Sequence, residues 1–457
     1  MVQRLLGGRA KLFLSVGLAD LSAMCLGMWL SWSSPMLSKL QSEDNNPLSE
    51  PITEGEKSWI GGLLSLGATI GPYLFAFLQD KIGRKWALLL TAAPYFTASV
   101  MAAFGAHVAL FYISRFIAGI GVAGVFTVLT TYIAEVSDAG VRGMLGSSMN
   151  NYLCFGLALG YCIGPYLSAM WLNLVEAILP AMFFVLFFLF APDTPYFLIE
   201  KNRGAAESAL CFLRSKPVGD IQVELKEIEK SVEESKANAA TFLDIFKTRG
   251  TTKALIISVM LVVFQQLCGI NIVLFYAQDI FSTSGTTLSE EIPPMIIGGV
   301  QFASSFVTPI LVDRLGRKIL LLISAAGMCV SETALGIYMF LDSRDVDVSA
   351  INFFPILTLV IFIITYNCGL GPLPWTVMAE LFPSNIKSAA SSFTVSCCWL
   401  VSFILTYFFG SVADAIGMGP SFWIFAGCTV ICFLFTLIYV PETKGKNFQE
   451  IQSILNA

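Results

Sequence analysis

The chain has 457 residues, 56% of them hydrophobic and only 13% charged, with a mean hydropathy of +0.73. Soluble domains are about a quarter charged, so a globule of this size would lack polar surface; a soluble enzyme, a disordered chain and a one-pass receptor are excluded. The net charge of −5 offers no basic surplus for nucleic acid, and a single histidine, His107, leaves no His-based metal site or triad to build.

A spanning helix needs roughly 20 apolar residues. Apolar segments fall at 12–34, 58–79, 86–104, 108–133, 143–166 and 170–191. They resume at 254–281, 293–312, 319–341, 351–378, 388–412 and 421–440, about twelve in all. The first is too long for a removable signal peptide and no small-residue cleavage pattern follows it, so it reads as the first span. Stretch 192–250 is charged and balanced in sign, with a predicted amphipathic helix from Asp220 to Lys236 carrying Ile221, Leu225, Ile228 and Val232 on one face. The expected organisation is a six-helix bundle (1–191), a helical linker (192–250), a second six-helix bundle (251–440) and a tail (441–457). The eleven cysteines lie almost all in apolar runs, so no disulfide framework is expected.

Basic residues set the orientation. With the N-terminus cytosolic, Lys39, Lys57 and Arg344 fall outside and Arg115 lies inside a helix. All the other lysines and arginines then face the cytosol, which predicts two cytosolic termini.

The chain repeats internally. Asp80-Lys-Ile-Gly-Arg-Lys85 recurs as Asp313-Arg-Leu-Gly-Arg-Lys318. Ala134-Glu135 with Arg142 recurs as Ala379-Glu380 with Lys387, and Pro192-Asp-Thr recurs as Pro441-Glu-Thr. Three matches in one order at similar offsets imply two parallel six-helix halves, related by an axis along the membrane normal. Carriers built this way hold substrate between the halves at mid-membrane.

Four features carry the expected chemistry. The two Gly-Arg-Lys turns place Asp80, Arg84, Asp313 and Arg317 at helix ends, level with Glu135, Arg142, Glu380 and Lys387; such a network can bias a two-state carrier. Gln265-Gln266-Leu-Cys-Gly-Ile-Asn271 puts amides inside the seventh span, where they line a cavity or bond across helices. On an ideal helix Gln266 and Asn271 sit about 140° apart, so both face one cavity only if it is wide or the helix unwinds, which Gly269 allows. Gly369-Leu-Gly-Pro-Leu-Pro-Trp375 breaks the tenth span, and Trp375 offers a ligand both an apolar face and an N–H donor. Arg115, near the outer surface, ties the outer helix ends together. Asp20, Glu176 and Glu332 also fall within spans and are functional suspects on that ground.

Two glycine patterns need no ligand. Gly119-x-Gly121-x-x-Gly124 lies in an apolar helix with no preceding strand, so it is no nucleotide site. Gly156-x-x-x-Gly160-x-x-x-Gly164 reads as close helix packing.

These motifs resemble the sugar porter family of the major facilitator superfamily, which includes animal glucose transporters and insect facilitated trehalose transporters. The resemblance runs from the first helix to Pro441-Glu-Thr-Lys-Gly445. It implies an all-α membrane protein with the major facilitator fold, and sugar binding by Gln265, Gln266, Asn271, Trp375 and, on the eighth helix, Gln301. Asn150 stands where the family has a fifth-helix glutamine. Cys398-Trp399 replaces Asn-Trp, Tyr196 an arginine after Pro195, and Lys387 an arginine. Proton-coupled relatives read Gly-Tyr-Asp in the first helix; here the stretch is Gly27-Met28-Trp29. The expectation is a facilitative uniporter in the plasma membrane for a hexose such as glucose or for trehalose, with a proton-coupled symporter or a non-transporting sensor as alternatives. Its partners are sugar and the lipid bilayer, with no covalent chemistry, cofactor, metal or obligate protein partner.

Overall fold

The computed structural model describes residues 9–43, 46–138, 140–237, 242–275, 292–344, 346–446 and 448–456. The side chain of Asp313 lies outside the described residues. Within a bilayer each backbone polar group needs an internal partner, which helices supply. The membrane helices are α1 (Ala10–Gln41), α2 (Glu54–Ile82), α3 (Arg84–Ala103), α4 (Val108–Val136), α5 (Arg142–Ile163) and α6 (Ala169–Phe190). They continue as α7 (Arg249–Phe275), α8 (Ile292–Val312), α9 (Arg317–Asp342), α10 (Phe354–Leu381), α11 (Ser384–Ile416) and α12 (Met418–Tyr439). Eleven are long and apolar enough to cross a membrane. The remaining one, α5, misses on apolarity because Ser147, Ser148, Asn150 and Asn151 cluster in its first half; it packs between α1 and α8 all the same.

Local chemistry starts several of these helices. Thr53 and Glu56 form a reciprocal capping box on α2. Ser168 caps α6 and Thr248 caps α7 with their hydroxyls.

The packing displays the repeat. In the first half α1 packs on α5, α2 on α4 and α3 on α6; in the second, α7 packs on α11, α8 on α10 and α9 on α12. The halves meet through α2 against α11 and α5 against α8, pairs that exchange under the same two-fold rotation. The expected glycine stripe lies where α5 crosses α1. A methyl on Gly156 would overlap Met24 O, one on Gly160 would overlap Ser31 Oγ, and one on Gly164 would press on Pro35.

The linker holds more structure than its periodicity suggests. The predicted amphipathic helix is present as Val218–Ala237, preceded by helices Pro195–Lys201 and Arg203–Arg214. Ala206, Leu210, Ile221, Leu225 and Ile228 form their own small core. Arg214 pairs with Glu224 at 2.7 Å and donates to Val136 O at the end of α4, fixing the linker to the first half. In the tail, Phe448–Asn456 is helical; Asn456 Oδ1 accepts from Gly250 N and Gln452 donates to Leu381 O.

Candidate substrate site and flanking charge clusters

The α7 helix stops at Leu267 and restarts at Ile270, with Gly269 at φ +73° in the left-handed region. The break brings together side chains that a straight helix would hold apart. Asn271 Nδ2 donates to Gln266 Oε1 at 2.7 Å and to Ser402 Oγ on α11 at 2.7 Å. Gln266 Nε2 donates to Cys398 Sγ at 3.1 Å. The neighbouring amide, Gln265 Nε2, donates to Leu370 O and Gly371 O, at 2.8 and 2.6 Å. Those carbonyls belong to the break in α10, which falls between Cys368 and Leu373. Gln265 therefore ties the two broken helices together.

Trp375, just beyond the α10 break, stacks on Phe126 of α4 with ring centroids 5.3 Å apart. Phe126 also lies 6.1 Å from Trp399, so one face of Trp375 is taken by an aromatic wall that crosses between the halves. Gln301 lies beside the Cys154 thiol of α5, again across the halves. Its backbone carbonyl accepts from Asn367 Nδ2 of α10, which also donates to Ser304 Oγ. Gln301 Oε1 and Trp399 Nε1 are buried without a hydrogen-bond partner among the described residues, leaving an acceptor and a donor near the wall. Asn150 on α5 is half-buried, and among the described residues its side chain makes no hydrogen bond to this group. Sequence reading does not single out Phe126, Asn367 and Ser402, although Asn367 stands two residues before the Gly369–Trp375 run and Ser402 three after Cys398-Trp399.

The face opposite the linker is closed. Ser65 Oγ of α2 lies 2.9 Å from Ser402 Oγ, and Ser396 Oγ donates to Thr69 O at 2.8 Å. Trp59 packs on Phe403 and Tyr407, and Tyr161 of α5 donates to Leu274 O at the end of α7. Arg115 joins three helices at this face. Fully buried, it donates to Ile60 O, Trp29 O and Ser33 Oγ at 3.0, 3.0 and 2.7 Å, fastening α4 to α2 and α1. Its guanidinium also lies over Trp32 and over Phe275 of the other half.

On the linker face, the repeated motifs meet in space. Asp193 Oδ1 accepts from Lys85 N at 3.0 Å, capping the N-terminus of α3. Glu442 accepts from Arg317 N and Lys318 N, each at 3.0 Å, capping α9 in the same way. The turns need glycine, since Gly83 and Gly316 have φ of +97° and +89° and a methyl on either would press on the capping carboxylate. Arg84 pairs with Glu135 at 3.0 Å and Arg317 with Glu380 at 2.8 Å. Lys85 and Lys318 donate to Phe188 O and Leu437 O near the ends of α6 and α12. Asp80 is mostly exposed and only 3.9 Å from Arg84. Arg142 donates to Ser137 O, while Lys387 borders a surface groove with Glu380, Phe382 and Lys446. Among the described residues every ion pair in these clusters stays within one half. Burial pushes the Asp193 carboxyl up despite its backbone donors. At Glu442 burial acts upward too, but donors from Lys444, Arg317, Lys318 and Thr443 together hold the carboxyl below the usual range.

Of the other buried acids, Asp20 and Glu332 hydrogen-bond to neighbours outside the amide group, although Glu332 lines a cavity with Cys268 at the α7 break. Asp20 accepts from Ser148 Oγ of α5, and Glu332 from Thr429 Oγ1 of α12. Glu176 of α6 feels the charge of Arg115.

Two matching helix bundles, broken helices at the seam and amides gathered there define a multi-pass membrane protein of the carrier type. The family profile described as "Sugar (and other) transporter" matches residues 25–455, and the chain belongs to that family. It is 35% identical to the facilitated trehalose transporter Tret1 of Culex quinquefasciatus over 436 residues, which cover 95% of this chain and 83% of that protein. Tret1 of Bombyx mori is 36% identical over 452 residues, 98% of this chain and 88% of the relative. Tret1 of Anopheles gambiae is 34% identical, and there the chain spans 54% of the relative's length. The inward open conformation of the xylose transporter XylE from E. coli has the same fold, with a TM-score of 0.80 at 24% identity over 96% of this chain and 98% of that one.

Proposed function

We propose that the protein is a facilitative sugar carrier that works by alternating access, with trehalose the foremost substrate and glucose the next. The break in α7 carries the reading: it gathers Gln266 and Asn271 between the halves, where amides donate and accept without charge, as sugar hydroxyls require. Gln265, Gln266, Asn271, Gln301, Trp375 and Asn150 hold the sugar. Trehalose is favoured by the names of relatives at 34–36% identity. The chain divides at 191, 250 and 440, the linker face is cytosolic with both termini, and the plasma membrane is its site. The pairs built from Arg84, Glu135, Arg317 and Glu380, together with the motif residues Asp80, Asp313, Arg142 and Lys387, brace the cytosolic ends of each half as the halves rock, while Arg115 braces the outer ends. No covalent step is involved.

Uptake of radiolabelled trehalose and glucose into liposomes containing purified protein tests this. Trehalose should equilibrate without accumulating, whether or not a pH gradient is present. Accumulation abolished by a protonophore and by Asp20→Asn would establish proton coupling through Asp20 instead, and binding without uptake would mark a sensor. Gln266→Ala should weaken trehalose binding by roughly 1–3 kcal/mol; unchanged binding in both Gln265→Ala and Gln266→Ala would remove the site assignment.

A further inference from the structure

The hydrogen bond that joins α2 to α11 is continuous with the amides of the α7 break. Asn271 has two amide hydrogens; one goes to Gln266 Oε1 and the other to Ser402 Oγ. Ser402 Oγ lies 2.9 Å from Ser65 Oγ of the first half. Ser402 Oγ, which accepts from Asn271, still has a hydrogen and a lone pair for Ser65, so the contact forms with either hydroxyl as donor. Gln266 in turn donates to Cys398 Sγ, one helical turn before Ser402 on α11. The chain Cys398–Gln266–Asn271–Ser402–Ser65 thus runs from one wall of the site, across α7, into the opposite half. All five residues are buried, Cys398, Ser402 and Ser65 fully, so losing one partner leaves a buried polar atom unsatisfied.

Both donors of Asn271 are therefore committed before any ligand arrives. A sugar hydroxyl that takes an N–H from Asn271 must displace Ser402 or Gln266. We propose that Ser402 is a positioning residue that competes with sugar for Asn271, linking occupancy of the site to the strength of the seam opposite the linker. The inference rests on Asn271 contacting sugar. Linkage is reciprocal: sugar on Asn271 loosens the Ser402–Ser65 contact, and loosening that contact frees Asn271 for sugar. The second seam bond, Ser396 Oγ to Thr69 O, touches none of the amides and serves as the internal comparison.

The test uses the full chain in liposomes, with radiolabelled trehalose as probe. Seam opening is read as the rate at which Ser58→Cys, at the far end of α2, reacts with an impermeant maleimide above the background of the parent's own thiols. In the Ser58→Cys protein, trehalose should speed labelling. Ser402→Ala should bind trehalose about fivefold more tightly, the equivalent of one such hydrogen bond. It should label faster without trehalose, and trehalose should no longer change that rate. Ser402→Thr keeps the hydroxyl and should restore the parent's trehalose response, whereas Ser396→Ala should label faster yet keep that response. Should Ser402→Ala fail to fold, Ser65→Ala carries the test: it too must label faster and lose the trehalose response. A trehalose response in Ser402→Ala or Ser65→Ala equal to the parent's, with binding lost in Asn271→Ala, overturns the coupling and leaves the site reading standing. Binding retained in Asn271→Ala overturns both.

Discussion

Replacing Gly269 by alanine tests whether the break in α7 makes the site. On an unbroken helix Gln266 and Asn271 would be about 140° and 7.5 Å apart, beyond the reach of the 2.7 Å hydrogen bond that joins them. Gly269 holds φ at +73°, and an added Cβ would lie 2.8–3.2 Å from the Phe425 ring. A left-handed L-residue costs about 1–2 kcal/mol, before the ring gives way. A straightened α7 would forfeit two Asn271 hydrogen bonds worth about 1 kcal/mol each, so the substitution makes the broken and straight forms comparable in energy. Apparent affinity scales with the fraction competent to bind. A shift of 1–2 kcal/mol is about 5–30-fold, and we expect a loss in trehalose affinity of up to about 10-fold. Equilibrium binding of radiolabelled trehalose to Gly269→Ala, beside Gly427→Ala, provides the measurement. Gly427 lies on α12 with open space around it, so its variant reports only the general effect of adding a methyl to a helix. Equal affinity and equal melting temperature in the two variants would refute the idea that the break creates the site.

Gly156→Ala should lower the melting temperature of the purified protein clearly below that of Gly427→Ala, because its methyl would force α5 away from the α1 backbone at Met24. Arg84→Ala combined with Arg317→Ala strips Glu135 and Glu380 of their arginine partners, leaving Glu135 only Thr194 as a side-chain donor among the described residues; we expect a lower melting temperature and altered cysteine accessibility on the two faces, and identical labelling would reduce these charges to a topology signal. Glu442, held below its ordinary range, contributes stability that is present above about pH 4.3 and is lost as pH falls through its lower folded value. Melts of Glu442→Gln should therefore flatten on the acid side, where the parent's stability drops.

Much of this protein is legible in the sequence because a bilayer permits few solutions. Apolar runs alone mark about twelve spans, the fifth included, and the repeated Gly-Arg-Lys, Ala-Glu and Pro-acid-Thr motifs announce two halves. The amides of α7 and the glycine-proline run of α10 stand out because such residues in a membrane need a reason. What those residues touch was decided by tertiary structure. That Asp193 and Glu442 cap the helices that follow Gly83 and Gly316 depends on chain segments more than 100 residues apart. That Gln265 grips the α10 break, and that Asn271 reaches Ser402 and through it Ser65, depends on how α2, α7, α10 and α11 converge. Periodicity reports which face of a helix avoids lipid or water. It carries no information on which neighbour that face meets, because a hydrogen bond between helices is set by their relative position in space.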